Sequence, residues 1–455
     1  MARDRPESTR LHPVDARAYW MASKIPSDQF LLYCFDAGPG EHDAADIEAE
    51  VVRLRERSAR IELLRQHITN VPLRVDYPRW ADTDPGTETV TVHATPRTWT
   101  ECLEAVANSF VDQVDPAVSV WHLHLYPNIS DAPGGPGPTV VAVLQLSHAA
   151  ADGALASTIA RDLLGAHRLA PVCSSRSARI EPLASVLAAA ALPFRVLLMF
   201  RGGLRARRDA LALGRATDSG SVPPPARSRA LTALDVPPTG RTSVRTIVVA
   251  KSDVHAEGIT VTVFVLAAIS IALQELLGGS ADLAAEVTLS RQARGHARNN
   301  FGNVGVGLFT DEPDIRTRVQ LISDDLAARR IRADHPLARA ARASQDDVEL
   351  HVPAFLAEWG VDQFDPAATP PTVTGNTVVS SVSRGAADLT LAGGTVRFTA
   401  GFPALSPAMG VTHGVHGIGD TVTIGITSNS AAVPDPDRYE SLLRGALDEV
   451  RAAST

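Results

Sequence analysis

The run Ser147-His148-Ala149-Ala150-Ala151-Asp152-Gly153 holds an imidazole and a carboxylate four residues apart, with a glycine directly after the acid. It lies between an apolar, β-branched stretch, Thr139 to Leu146, and a repeat of Leu155, Ile159 and Leu163 at helical spacing. The first predicts a strand buried on both faces, the second a helix opened by Gly153 and closed by Gly165. His148 then stands at a buried strand end beside a helix N-terminus, whose N–H groups favour the neutral imidazole. A neutral imidazole is what a general base needs. Asp152 would be largely desolvated there and calls for a cationic partner, which makes it a structural staple. The alternative, a His–Asp dyad feeding a nucleophile, lacks its third member, because G-x-S-x-G is missing and no cysteine is near.

Several elements must position this turn. A helix is expected from about Ala44 to Gln66, with Asp43 as N-cap, and another from the capping box Thr98-x-x-Glu101 to about Asp112. A hairpin should join Val118–Tyr126 to Thr139–Leu146 across Pro133 to Pro138, a loop with no lysine or serine in phosphate-loop register. The polar, proline-rich stretch Asp218 to Ser228 reads as a crossover. Thr260 to Leu277 reads as a buried core helix, and strands are expected near 286–290, 304–309, 378–382, 395–402 and 421–427. A last helix should begin at Asp435-Pro436. The pattern is α/β with mixed sheets.

The hexapeptide and its surroundings resemble the wax ester synthase/diacylglycerol acyltransferase family, within the wider superfamily of chloramphenicol acetyltransferases and condensation domains. Val14-Asp15-Ala16 with Tyr19-Trp20 is similar to the family's opening "LDAxFL", and Val114-Asp115 through Val120-Trp121 to its "LDxxxPLW". Gly258-Ile259-Thr260-Val261 running into Leu266-Ala267-Ala268 resembles "GVTVNDVVLAA". Ser290-Arg291 and Asn299-Asn300-Phe301-Gly302-Asn303 resemble the superfamily's arginine and the strand start after it, and Val378 to Ile426 its closing strands. The resemblance implies two acetyltransferase-like subdomains with an active-site tunnel between them: residues 1–180, a crossover with an apolar helix at 181–235, and residues 236–455. It also implies that His148 is the base and that Asp152, backed by Gly153, pairs with Arg291. Ser147, Asn303, Ser380, Ser381, His413 and His416 are candidates for contacting substrate or stabilising the oxyanion.

The chain departs from the family as well. Ser147 replaces the first of two adjacent histidines, Thr262-Val263 an Asn-Asp pair, and Ser381-Val382-Ser383-Arg384-Gly385 an Asn-Val-Pro-Gly-Pro turn. Changed walls around an unchanged base predict an acceptor range unlike bulk triacylglycerol or wax synthesis. Arg384 adds a cation that either is solvated or meets an anionic or phosphopantetheine-bearing substrate.

Composition narrows the partners. A net charge of −8 over 455 residues argues against nucleic acid. Cys34, Cys102 and Cys173 form neither a disulfide framework nor a metal site. The pairs His122/His124 and His413/His416 lack a third ligand at suitable spacing, so no metal is expected. The start MARDRPESTR has no apolar core, which makes the cytoplasm the default. Leu183 to Phe200 is interrupted by Pro193 and Arg195 and is too short to span a bilayer. It either packs on the protein or rests on a membrane through 183–208, with Arg195, Arg201, Arg205, Arg207 and Arg208 toward lipid phosphates.

These features together point to transfer of an acyl group from a thioester to a hydroxyl with no resident cofactor, acyl-CoA or acyl-phosphopantetheine being the co-substrate. Two other readings share the fold: condensation with a donor tethered to an acyl-carrier protein, and an inactive homologue that only binds acyl chains.

Overall fold

The computed structural model describes residues 10–37, 43–82, 88–95, 97–169, 182–279 and 281–454. The N-terminal part runs α1 (Pro13–Met21), β1 (Gln29–Asp36), α2 (Ala44–Ser58), β2 (Gln66–Thr69), β3 (Arg79–Asp82), β4 (Val90–Val92), α3 (Trp99–Asn108), β5 (Trp121–Ile129), β6 (Thr139–Leu146) and α4 (Gly153–Leu164). Helices α5 (Pro182–Ala190) and α6 (Leu192–Asp218) lead to β7 (Thr242–Ala250), α7 (Val261–Leu276), β8 (Ala284–Ser290) and β9 (Phe301–Gly307). Helices α8 (Ile315–Asp334), α9 (Pro336–His351) and α10 (Ala354–Asp362) follow, then β10 (Thr377–Ser383), β11 (Thr390–Leu391), β12 (Gly394–Phe402), β13 (Val411–Ile418), β14 (Thr421–Asn429) and α11 (Pro436–Ser454).

Two six-stranded sheets carry the architecture, in the orders β11-β12-β1-β6-β5-β4 and β7-β14-β13-β10-β8-β9. All eight residues of β6 are buried, as its unbroken apolar run predicts, because it lies between β1 and β5 with both faces covered. Helix α7 is enclosed from Val263 to Ser270 in the C-terminal core. Asp43 and Thr98 both cap their helices through complete capping boxes.

Three expectations change. The helix from Ala44 ends at Ser58, and a 3-10 turn at Glu62–Arg65 buries Leu63 and Leu64 before β2 begins. The helical spacing of Ile61 and Leu64 is kept by a tighter turn. The sheets, moreover, do not divide at a single point of the chain: β12 crosses back and pairs antiparallel with β1, Phe402 against Phe30 and Thr399 against Tyr33. The crossover brings the sheets into backbone contact. The Gly401 carbonyl stands 2.1 Å and 2.6 Å from where Cβ atoms of Gly414 and Gly425 would lie, so a side chain at either place would force the sheets apart. Third, the apolar stretch at 183–200 belongs to two helices, and α6 packs on α9, with Gly202 buried against Val348.

Candidate active site

His148 lies in the turn between β6 and α4, and its ring packs on Phe301 of β9 with centroids 5.3 Å apart. The turn is clamped from the other half of the chain. Asn299 donates from its side chain to the His148 carbonyl at 2.8 Å, and from its backbone and side chain to Asp15 Oδ1 at 3.0 and 2.9 Å. Asp15, fully buried at the start of α1, also accepts from the Arg298 backbone at 3.0 Å. Burial raises the Asp15 pKa, and the N–H donors around it oppose that shift. His148 Nδ1 is buried and makes no hydrogen bond, which leaves Nε2 as the nitrogen open to the cavity.

Asp152 does not pair with Arg291. One of its oxygens caps α4 by accepting from the Leu155 N–H at 2.9 Å, and the other accepts from the Asn300 N–H at 2.9 Å. Two oriented peptide dipoles satisfy the carboxylate, so the cation that burial seemed to demand is not needed. Arg291 turns away and lies over Gly302, where a Cβ would stand 1.8 Å from Nη2. Gly153 opens α4 where β10 abuts the helix, and a Cβ there would meet Val382 at an ordinary 3.6 Å.

A cavity of about 500 Å³ opens beside His148. Its walls come from both halves: the 27–31 segment and the start of α4 on one side, β9, β10, β12 and His416 on the other. Of the sequence candidates, Asn303, Ser380, Ser381 and His416 line it. Ser381 accepts a hydrogen bond from Thr262 at 3.0 Å, so two positions that depart from the family pattern touch each other. Ser147 is fully buried and off the cavity wall. His413 is also misplaced by the sequence reading. It is buried between Thr377 Oγ1 at 3.0 Å and the Tyr439 hydroxyl at 2.8 Å, and burial pushes its pKa down to about 3. The cause is strand parity: residues three apart on β13 point to opposite faces, so only His416 reaches the cavity. His122 and His124 share a face of β5, where His124 bonds His93 and Gln145, both at 3.0 Å.

Two further residues line the wall, Asp28, which the sequence did not single out, and Arg384, which is buried and not solvated. Asp28, just before β1, accepts from the Val114 N–H at 2.8 Å and Gln145 Nε2 at 2.7 Å. Burial raises its pKa, while those donors and the neighbouring His148 oppose the rise. Arg384, at the end of β10, is only 3% exposed and lies over the Tyr33 ring at 5.2 Å.

A second cavity, of about 1050 Å³, adjoins the first, with Phe301 and Asn303 in the walls of both. Arginines dominate it, among them Arg207, Arg291, Arg294, Arg332 and Arg342, against the acids Asp346 and Glu349. Burial lowers the Arg291 pKa, and repulsion from Arg342 and Arg294 lowers it further.

Residues 298–451 match the family model of the WS/DGAT C-terminal domain. Among solved structures, the chain resembles the wax ester synthase/diacylglycerol acyltransferase of Marinobacter aquaeolei VT8 at a TM-score of 0.63 and 17% identity, covering 98% of this chain and 100% of that one. It also resembles the starter condensation domain of rhizomide synthetase: a variant in complex with C8-CoA gives a TM-score of 0.55 at 12% identity, over 98% of this chain and 95% of that one. Comparison of the sequence with curated proteins gives no match. At these identities the structures share a fold of two acetyltransferase-like subdomains. Residues 298–451 thus match the WS/DGAT C-terminal domain, and the chain as a whole shares the fold of the Marinobacter enzyme.

Proposed function

We propose that the chain is an O-acyltransferase in which His148 takes the proton of an acceptor hydroxyl as that oxygen attacks a thioester carbonyl. The C–S bond breaks, the proton passes to the departing thiolate, and the ester is released without an acyl-enzyme. The observation that carries this reading is that His148 opens onto a cavity shared by both halves while its turn is fixed from the opposite half through Asn299 and Asn300. Such rigidity is what positions a base for proton transfer.

The donor is acyl-CoA. The second cavity supports this, because its arginines suit the diphosphate and 3′-phosphate of CoA, and it meets the first cavity at Phe301 and Asn303. The acceptor then occupies the cavity beside His148. The outer face of α5 and α6 rests on a bilayer. Phe194, Leu197, Phe200, Leu204 and Leu211 of α6 are exposed, with Arg201, Arg205 and Arg208 on the same helix, and no helix among the described residues is long and apolar enough to cross a membrane.

The test is mass analysis of products after incubation with acyl-CoAs and a panel of alcohols. Ester should form, and His148→Ala should lower turnover by about 10²- to 10⁴-fold with an unchanged melting temperature. Undiminished turnover in that variant removes His148 as base. Acyl-CoA binding without product from any acceptor assigns the chain to acyl binding alone.

A further inference from the structure

Arg384 is a buried cation in the wall of the candidate active site, and among the described residues no carboxylate lies within ion-pair distance of it. Desolvating a guanidinium is costly unless a partner compensates. None of the groups facing Arg384 is a carboxylate: Nη1 donates to Thr399 Oγ1 at 2.9 Å, Tyr33 lies beneath and favours the cation, and His416 is the other titratable neighbour. Nε is buried with no hydrogen bond. Asp28 lines the same cavity, but its Oδ2 takes the Val114 and Gln145 donors and it forms no ion pair with Arg384.

Gly401 lets both groups lie against its strand: a Cβ there would stand 2.6 Å from His416 Cε1, 2.7 Å from Arg384 Nη2 and 3.0 Å from His416 Nε2, and both side chains line the cavity wall. Arg384 is also anchored from behind, its carbonyl accepting from Arg161 Nη1 at 3.0 Å. A fixed guanidinium with an unbonded nitrogen and an imidazole, side by side in one cavity wall, form a donor set suited to a carboxylate.

We propose that Arg384, with His416, forms a carboxylate-binding subsite in the acceptor cavity, so that the acceptor is a hydroxy acid whose hydroxyl reaches His148 while its carboxylate meets Arg384. This rests on the acyl-transfer reading above. A cavity of about 500 Å³ suits a small molecule of this kind.

The experiment compares kcat/KM for ω-hydroxy acids from hydroxybutyrate to hydroxyoctanoate with their methyl esters and the matching diols, in the wild type, Arg384→Met and Gly401→Ala. In the wild type at least one acid should exceed its ester by about 10-fold or more, and in both variants that ratio should fall to about one. Gly401→Ala keeps the guanidinium charge but pushes Arg384 Nη2 and the His416 ring aside, and keeps the test valid should Arg384→Met fail to fold. Calorimetric titration with hexanoate needs no turnover: binding to the wild type and none to Arg384→Met supports the subsite even if every acceptor proves inert, which would sink the acyl-transfer reading alone. Equal kcat/KM for acid and ester in an active wild type overturns the subsite and leaves acyl transfer standing. A preference for dicarboxylic acyl-CoA donors with neutral acceptors also overturns it, by placing the carboxylate on the donor.

Discussion

Asp152 Oδ2 accepts the Asn300 N–H at 2.9 Å, and this bond ties the turn bearing His148 to the start of β9 in the other half of the chain. The Asp152 N–H in turn donates to the Arg298 carbonyl at 3.2 Å, so the two segments bond in both directions. A carboxylate held by peptide N–H groups does the joining that a cross-half ion pair was expected to do. It needs no long side chain to be ordered.

Replacing Asp152 by alanine should therefore cost about 2–4 kcal/mol, from a lost helix cap and a lost charge-assisted bond. Arg291→Ala should act independently. In a double-mutant cycle read by urea unfolding, the coupling of the two should stay below about 0.5 kcal/mol, the range for sites without shared partners. A coupling of about 2 kcal/mol or more would restore the ion pair.

The strand, turn and helix around His148 were legible because each is signalled locally: an unbroken apolar run, then glycine, then a stripe of Leu155, Ile159 and Leu163. The caps at Asp43 and Thr98 were legible for the same reason. His416 against His413 could have been separated by strand parity alone, had β13 been recognised among its glycines. What was hidden is non-local. Nothing in residues 394–402 says that they leave their own half to pair with β1, and only that crossover places Gly401 beside Arg384 and His416. Asp28 belongs to no motif; its burial follows from the sheet that closes over it.

Asp28 supplies a pH test. Its folded-state pKa is raised by burial above the ordinary 3.8, so the native state favours the protonated form. Its contribution to stability is then complete below 3.8 and is lost as pH rises through the raised value. Asp28→Asn keeps an oxygen for Val114 and Gln145 without the charge. The variant should melt higher than wild type at neutral pH, and the gap should close on acidification below 3.8. A gap that widens toward acid would reverse the assignment.

The arginine-lined cavity makes a prediction about the donor. If its cations meet the nucleotide phosphates of CoA, Arg291→Ala should raise KM for octanoyl-CoA by about 10-fold, near the 1.4 kcal/mol of one modest charge-assisted contact. KM for octanoyl-pantetheine, which has no phosphates, should change by less than about 2-fold. Added salt should weaken octanoyl-CoA selectively. Equal effects on both donors would remove the phosphates from this cavity.

The outer face of α6 offers the last test. Leu204 is 72% and Phe200 66% exposed, and with Leu197 and Leu211 they recur at helical spacing on the side of α6 turned from α9. Not all the nearby arginines can serve a membrane: Arg195 pairs with the buried Asp76 at 3.0 Å, and Arg207 lines the second cavity. Arg201, Arg205 and Arg208 remain on the surface, a charge pattern that suits anionic headgroups. An exposed stripe of this kind gains burial only against another apolar surface. The protein should therefore co-sediment with vesicles containing phosphatidylglycerol more than with phosphatidylcholine alone. The triple substitution Leu197→Ser, Phe200→Ser, Leu204→Ser should abolish that binding while the variant transfers acyl groups to soluble acceptors at the wild-type rate, since none of the three lines either cavity. Co-sedimentation unchanged by the triple substitution, or no co-sedimentation of the wild type at low salt, would show that the stripe serves a different contact.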